Sequence, residues 1–145
     1  MKIFTIGFTK KSAEKFFTSL RQAGVETLID VRLNNVSQLA GFAKKADLAY
    51  FVQEICDIQY IHLPLLAPTQ ELLTAYKTRK GDWSVYERAF LKLMEERRIE
   101  SVIDRATLDR GCLLCSEDRP DRCHRRLVAE YLGEKWSDVE IVHLV

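Results

Sequence analysis

The fold is decided by a stretch near the carboxyl end of the chain, residues 111–126, which reads GCLLCSEDRPDRCHRR. The apolar run 111–115 is typical of a buried strand, and a polar break begins at Ser116. Pro120 is tolerated at the start of a helix, where the N–H groups have no partner in any case, and Asp118 is placed to cap that helix. The stretch therefore predicts a strand, an acidic loop and a helix that begins at Pro120. In α/β proteins, ligands bind at such crossings.

The same alternation of strand and helix patterns runs along the rest of the chain. Apolar runs predict strands over residues 2–6, 25–31, 58–63, 111–115 and 139–145. Amphipathic patterns predict helices over residues 12–23, 47–56, 69–78, 83–97 and 120–132, with a short helix within 99–108 and an irregular loop over 33–43. This order predicts an α/β fold, a single domain with a mostly parallel sheet of about five strands and helices on both faces.

The bulk composition narrows the function classes. The 145 residues are 47% hydrophobic and 30% charged, with a formal net charge of +1. Nucleic-acid binding is therefore not indicated, because it usually needs a clear basic excess. No run of 18 apolar residues is present, and the first residues lack the apolar segment of a secretory signal. The four cysteines are then expected to be reduced thiols in the cytoplasm, and neither a membrane partner nor a cofactor is expected.

Reactive side chains stand where the predicted strands end. Right-handed crossovers place the carboxyl ends of parallel strands on one edge of the sheet. That edge is predicted to gather Gly7 to Thr9, Asp30 and Arg32, His62, and Cys115 to Asp118. The convergence of these segments predicts a functional site at that edge.

Cys115 is the candidate nucleophile of this site. At a strand end beside a helix start, the helix dipole lowers the pKa of a thiol, and Arg125 or His124 acts in the same direction. Glu117 and Asp118 act in the opposite direction by charge repulsion. A buried structural cysteine at the end of a core strand is the alternative, and the sequence does not decide between the two.

The predicted last helix carries Cys123, His124 and Arg125 in its first turns. Cys123 lies on the inward stripe, which favours packing, whereas the neutral imidazole of His124 is able to orient or deprotonate a partner near pH 7. Arg125 is placed to bind an anion together with Arg32. Pairing between Arg32 and Asp30 is the more common arrangement.

A zinc site and a disulfide are two further interpretations of the cysteines. Cys112-x-x-Cys115 together with Cys123 and His124 offers four possible zinc ligands. Residues three apart in a strand point to opposite faces, so no metal site is predicted. A disulfide between Cys115 and Cys123 stays open.

Aromatic and basic side chains offer further contacts for a ligand. Trp83 and Tyr86, one helical turn apart, are typical of core residues and are also able to form a pocket wall on which a ring stacks. The arginines 119, 122, 125 and 126 form a local basic cluster near the predicted helix start.

The motifs occur in an order that resembles a known family. They are Thr5-Ile6-Gly7, Asp30-Val31-Arg32, His62-Leu63-Pro64, Trp83-x-x-Tyr86 and Cys115-x-Glu117-x-x-Pro120-x-x-Cys123-His124-Arg125. The set resembles the domain-of-unknown-function 488 family from residue 3 to about residue 132. The resemblance implies a compact α/β domain of bacteria and archaea with no established activity, in which an enzyme is expected.

The resemblance carries over the motif residues Gly7, Asp30, Arg32, His62, Cys115, Glu117, Cys123, His124 and Arg125. Two loops depart from the family pattern. Many members have Ser-Asn soon after the glycine, where this chain has Thr9-Lys10, and an acidic residue after His-x-Pro, where it has Leu65.

Three functions are compatible with the site. The first is an enzyme, a hydrolase or transferase, that acts on a small anionic substrate such as a nucleotide. Cys115 would be its nucleophile, Glu117 or Asp30 its acid/base and His124 an orienting group. The residues expected to bind the ligand are Gly7, Thr9, Arg32, His62, Cys123 and Arg125.

The second function is sulfur transfer, because residues 28–32 resemble a rhodanese strand. The acidic loop after Cys115 speaks against it, since a persulfide anion favours a cradle of N–H groups and cations. The third function is a non-catalytic module that binds a nucleotide, nucleic acid or protein.

Overall fold

One five-stranded parallel sheet organises the molecule, which a computed structural model describes over residues 1–34 and 41–145. Its strands are β1 (Lys2–Gly7), β2 (Thr27–Asp30), β3 (Gln59–His62), β4 (Gly111–Cys115) and β5 (Glu140–Leu144). They lie in the order β3-β2-β4-β1-β5, and each neighbouring pair is parallel. The predicted α/β fold is confirmed, and within the described residues the sheet is wholly parallel.

Helices connect the strands. They are α1 (Ala13–Ala23), α2 (Lys45–Cys56), α3 (Gln70–Leu73), α4 (Trp83–Arg97), α5 (Ile99–Val102), α6 (Arg105–Leu108) and α7 (His124–Trp136). Within the ranges that the structure describes, none of these helices is long and apolar enough to cross a membrane.

Some connections differ from the predicted helices and loops. The helix predicted over 69–78 is a short α3 that continues as a π-helical turn, Thr74–Thr78. The short helix predicted within 99–108 is two single turns, α5 and α6. The predicted loop over 33–43 falls mostly on residues 35–40, outside the described residues, and its last part is a 3-10 turn, Gly41–Ala43.

The ends of α1 follow local sequence signals. Ser12 has extended backbone, and its hydroxyl accepts a hydrogen bond from the N–H of Lys15 at 3.1 Å, as expected of an N-cap. Gly24 ends the helix with a φ of 79°, a left-handed conformation that glycine adopts without steric cost.

The start of α7 differs from the prediction. The helix begins at His124 rather than Pro120, because residues 118–122 form bends and turns and Cys123 takes the cap position without a side-chain hydrogen bond. Asp118 does not cap the helix, since its carboxylate accepts from Nζ of Lys11 at 3.0 Å.

The end of α7 also differs from the prediction. The helix passes through Gly133 and ends at Trp136. A Cβ at Gly133 would lie 3.4 Å from Cδ1 of Ile141 on β5. That distance is an ordinary van der Waals contact, so Gly133 is one more residue inside the helix and does not end it.

Helices cover both faces of the sheet, as predicted. On one face, Phe16 of α1 belongs to the same buried cluster as Cys112. On the other, Phe90 of α4 belongs to the same buried cluster as Cys115. Every residue of β4 is buried, as is usual for a central strand covered on both faces. The two cysteines of β4 thus lie on opposite faces, as the pleat predicts.

Candidate functional site

A cavity of about 310 Å³ opens at the carboxyl edge of the sheet. This volume lies in the range of roughly 300–1,000 Å³ that is usual for small-molecule sites. Five of the residues that the sequence proposes for the site line it: Arg32, Cys115, Glu117, Cys123 and His124. Gly7, Thr9, Asp30, His62 and Arg125 lie behind this lining, where they hold it in place.

Asp30 and Arg32 form a buried ion pair after β2. Nε and Nη2 of Arg32 donate to the two carboxylate oxygens of Asp30 at 2.8 Å each, and the hydroxyl of Tyr60 also donates to this carboxylate. Burial raises the pKa of Asp30, but the hydrogen bonds and charge of Arg32 outweigh it, so the pKa lies below the ordinary 3.8. Asp30 is therefore a carboxylate at neutral pH that holds Arg32 in place.

One nitrogen of Arg32 stays without a partner. Its Nη1 is buried and has no hydrogen bond to any residue in the described part of the chain. The residue is only 3% exposed, yet it lines the cavity. An unsatisfied buried donor costs about 1–3 kcal/mol, and an acceptor atom of a bound ligand would remove that cost.

Arg125 holds the loop that follows β4. The residue is fully buried, and its Nη1 donates to the carbonyl oxygen of Glu117 at 2.6 Å and to Sγ of Cys115 at 3.2 Å. Nη2 donates to the carbonyl oxygen of Asp118 at 3.2 Å. Burial lowers the pKa of Arg125 to about 10, so the group remains a cation at neutral pH. Its charge therefore lies directly beside the sulfur atom of Cys115.

β1 supports the same loop from behind. Gly7 pairs in register with Cys115, and a Cβ at this position would collide with the carbonyl group of Glu117. The N–H of Thr9 donates to the carbonyl oxygen of Ser116 at 3.1 Å, while the residue itself is exposed. Both residues therefore shape the loop through backbone contacts.

Cys115, Cys123 and His124 meet at the wall of the cavity. The two sulfur atoms form a disulfide, so the expectation of four reduced thiols is wrong for these two cysteines, and their Cα atoms lie 7.4 Å apart. One ring nitrogen of His124 and both sulfur atoms lie within 4.8 Å of one another. The cluster thus combines two sulfur atoms and an imidazole on the edge of one pocket.

The imidazole of His124 has a defined tautomer. Its Nε2 donates to the carbonyl oxygen of Val31 at 2.7 Å, because a carbonyl only accepts, and Nδ1 is then the nitrogen with the lone pair. Burial lowers the pKa of His124 to about 4, so the ring is neutral near pH 7. His62 acts similarly on the same segment, since its Nε2 donates to the carbonyl oxygen of Arg32 at 2.8 Å.

Aromatic side chains also line the cavity. The rings of Tyr76, Trp83 and Tyr86 lie with their centroids between 5.1 and 5.4 Å apart, and all three residues line the cavity. Tyr86 is 5% exposed and belongs to the core as well. The two interpretations of Trp83 and Tyr86, core and pocket wall, therefore both apply to Tyr86.

The sequence did not indicate the residues of the π-helical turn. Tyr76 and Lys77 lie on that turn and line the cavity, and Nζ of Lys77 donates to Oε1 of Glu117 at 2.7 Å. Such turns are rare and are frequent at functional sites, but no residue pattern announces one. Arg122, which the basic cluster did single out, also lines the cavity.

One family matches this chain. The family model described as "Domain of unknown function DUF488" matches residues 12–132. The chain belongs to the DUF488 family. The match includes every cavity residue named above, whereas Gly7 and Thr9 precede it. For this DUF488 protein, no match exists among curated proteins and none among solved structures. Its function is therefore argued from the cavity.

Proposed function

We propose that this DUF488 protein binds a small anionic molecule with a flat ring, such as a nucleotide, in the cavity at the carboxyl edge of the sheet, and acts on it there as an enzyme. The observation that carries the proposal is the unpartnered Nη1 of Arg32 in the cavity wall. A phosphate or carboxylate oxygen is a strong acceptor for a guanidinium donor.

The charges around the cavity support an anionic ligand. Arg32, Lys77 and Arg122 line it, and Glu117 is the acidic residue among its described lining. The three cations come from different segments, so they surround the space rather than forming a patch on one helix. Three cations against one carboxylate give the described lining a positive excess, and such an excess raises the local concentration of an anionic ligand.

The aromatic wall supports a flat ring in the ligand. Tyr76 and Trp83 are half-buried, so each offers ring surface on the cavity side. Stacking on an aromatic side chain contributes about 1–3 kcal/mol per base and tolerates different bases. An anion and a ring in one molecule describe a nucleotide better than inorganic phosphate.

The enzymatic part of the proposal rests on the sulfur and imidazole groups beside this space. Cys115 stays the predicted nucleophile, with its sulfur within reach of Arg125 and the wall of the cavity. Glu117 is the acid/base of this proposal, because it lines the cavity and its ion pair with Lys77 is exposed, whereas Asp30 lies outside the lining in a buried pair with Arg32. The covalent contact of Cys115 with Cys123 favours the second candidate, a module that binds the same ligand without chemistry.

Calorimetric titration with nucleoside monophosphates, the free nucleosides and inorganic phosphate tests the binding. We expect the monophosphates to bind tighter than either fragment. Trp83→Leu should weaken their binding by about five-fold or more, and Lys77→Ala should weaken the phosphate-bearing probes alone. Lys15→Ala, an exposed lysine on α1, is the matched control and should change nothing.

Three results would each count against a part of this function. Equal affinity in the Trp83, Lys77 and Lys15 variants would place the ligand elsewhere. If none of the nucleotide probes binds at millimolar concentration, a nucleotide is excluded as the ligand. If Cys115→Ser still converts a bound probe, the proposed pocket stands, but Cys115 is excluded as the nucleophile.

A further inference from the structure

We propose that the reduced chain binds one divalent transition-metal ion, of which zinc is the best match, through Sγ of Cys115, Sγ of Cys123 and Nδ1 of His124, with one coordination position open to the cavity. The ion would be part of the site at the sheet edge. Its binding does not depend on the nucleotide, and only the occupant of the open position rests on the proposed function.

The donor set is the first support. Two sulfur atoms and an imidazole nitrogen lie within 4.8 Å of one another. Thiolate and imidazole are the ligands that zinc prefers, and three protein ligands with an open fourth position are usual for a zinc ion that meets a substrate. Cys115 and Cys123 are 2% and 3% exposed, so an ion there would be shielded from bulk water on the protein side.

The surroundings of the donors are the second support. A metal-binding histidine almost always donates its other ring N–H to a carboxylate, a backbone carbonyl or water. His124 has this arrangement, with Nε2 donating to Val31 at 2.7 Å, which leaves the lone pair on Nδ1. The guanidinium of Arg125 donates to Sγ of Cys115 at 3.2 Å and would stabilise a sulfur ligand in its thiolate form.

The backbone spacing is the third support. The Cα atoms of Cys115 and Cys123 lie 7.4 Å apart, whereas disulfide-bonded cysteines are usually about 4.4–6.8 Å apart. A tetrahedral ion with metal–sulfur bonds of about 2.3 Å keeps its two sulfur ligands further apart than a covalent bond does. The Cα spacing is therefore compatible with two sulfur ligands that lie further apart once the disulfide is reduced.

The divalent ion would bind in two steps. A thiol reductant first supplies two electrons and two protons to the Cys115–Cys123 bond, which gives two thiols and oxidises the reductant to its own disulfide. The divalent ion then displaces one proton from each thiol into solvent, and two sulfur–metal bonds and one nitrogen–metal bond form. In the metal-bound protein Cys115 would therefore be a ligand and not the nucleophile of the proposed function, and the ion would polarise, as a Lewis acid, a molecule bound at its open position.

Cobalt titration of the reduced, chelator-treated full-length protein tests the proposal. Tetrahedral Co²⁺ with thiolate ligands gives intense visible and near-ultraviolet bands, and we expect these to saturate at one ion per chain and to disappear on addition of Zn²⁺. Cys115→Ser, Cys123→Ser and His124→Gln should each weaken binding by about ten-fold or more. Cys56→Ser removes a half-buried thiol outside the cluster and should leave binding unchanged.

The titration either supports the metal site or overturns it. Circular dichroism and thermal melting of each variant confirm that it is folded before titration. A reduced protein that titrates four thiols but binds neither Co²⁺ nor Zn²⁺ would overturn the metal site, and so would an equal loss in Cys56→Ser. A thiol count of two that persists in the reductant would also overturn it, because the disulfide would then be permanent. Nucleotide binding, measured on the metal-free protein, passes or fails independently of these results.

Discussion

The ends of β2 and β4 each lie beside a buried arginine, and the protein uses the two arginines differently. Arg125 donates to the backbone carbonyls of Glu117 and Asp118 and so builds the loop after β4. Arg32 donates to the side chain of Asp30 and lines the cavity. Each arginine keeps one buried nitrogen without a partner among the described residues, Nη1 in Arg32 and Nε in Arg125. Both are at most 3% exposed, so the two arginines differ in the kind of partner that they hold and not in burial.

The largest expected effect comes from removing the charge at the end of β2. Arg32→Met leaves the buried Asp30 without its cation and should lower the free energy of unfolding by about 3–5 kcal/mol. The double variant Asp30→Asn/Arg32→Met removes both charges and should recover much of that loss. Urea denaturation measures both. A double variant as unstable as the single one would mean that Arg32 is itself a scaffold residue.

A slightly smaller effect is expected at the end of β4. Arg125→Met leaves the carbonyl oxygens of Glu117 and Asp118 without their donor and should lower the free energy of unfolding by about 2–4 kcal/mol. No change of a single acidic side chain should rescue it, because these partners are backbone groups. Arg119→Met, at an exposed position of the same loop, is the control and should cost less than about 1 kcal/mol.

The loss of folding stability at acid pH should further distinguish the end of β2 from the end of β4. The pKa of Asp30 lies below 3.8 in the folded chain, so its contribution to stability is complete above the ordinary aspartate value and is lost as the pH falls through the folded one. Chemical denaturation between pH 6 and 2 should show the wild type losing more stability below about pH 4 than Asp30→Asn does. Parallel curves for the two proteins would contradict a paired Asp30.

The smallest effect on stability is expected at the mouth of the cavity. Lys77 and Glu117 form an ion pair whose side chains are 52% and 46% exposed, so Lys77→Ala should change the free energy of unfolding by less than about 1 kcal/mol. Thermal melting beside Lys15→Ala measures this. A large loss of stability would assign Lys77 to the scaffold and would make it unsuitable as a test of ligand binding.

The sequence predicts the sheet and its edge because those signals are local. Ser12 and Gly24 bound α1, and the central apolar run of β4 is buried on both faces as its composition indicates. Parallel strands then bring their ends together by topology alone. For this reason, the topology alone predicts that the segments after β2 and β4 lie close together, and no side-chain contact needs to be known.

The structure differs from the prediction where distant contacts override local preference. Pro120 is compatible with a helix start, but Arg125 and Arg126 hydrogen-bond to carbonyls between residues 117 and 121, and the chain stays in turns until Cys123. The π-helical turn that carries Lys77 is likewise not encoded in a residue pattern. The sequence does not predict a zinc site, because Cys112 and Cys115 point to opposite faces of β4. Cys115, Cys123 and His124 come together only through tertiary folding.

In the proposed function, the ion pair between Lys77 and Glu117 would compete with the bound anion. The ammonium group of Lys77 donates to the carboxylate of Glu117 at 2.7 Å, and an incoming anion would need the same ammonium group. A ligand with one negative charge exchanges one ion pair for another and gains little from Lys77, whereas a phosphate dianion brings a second charge that the displaced carboxylate cannot match. The cavity is thereby expected to select ligands by the number of their charges before their shape is tested.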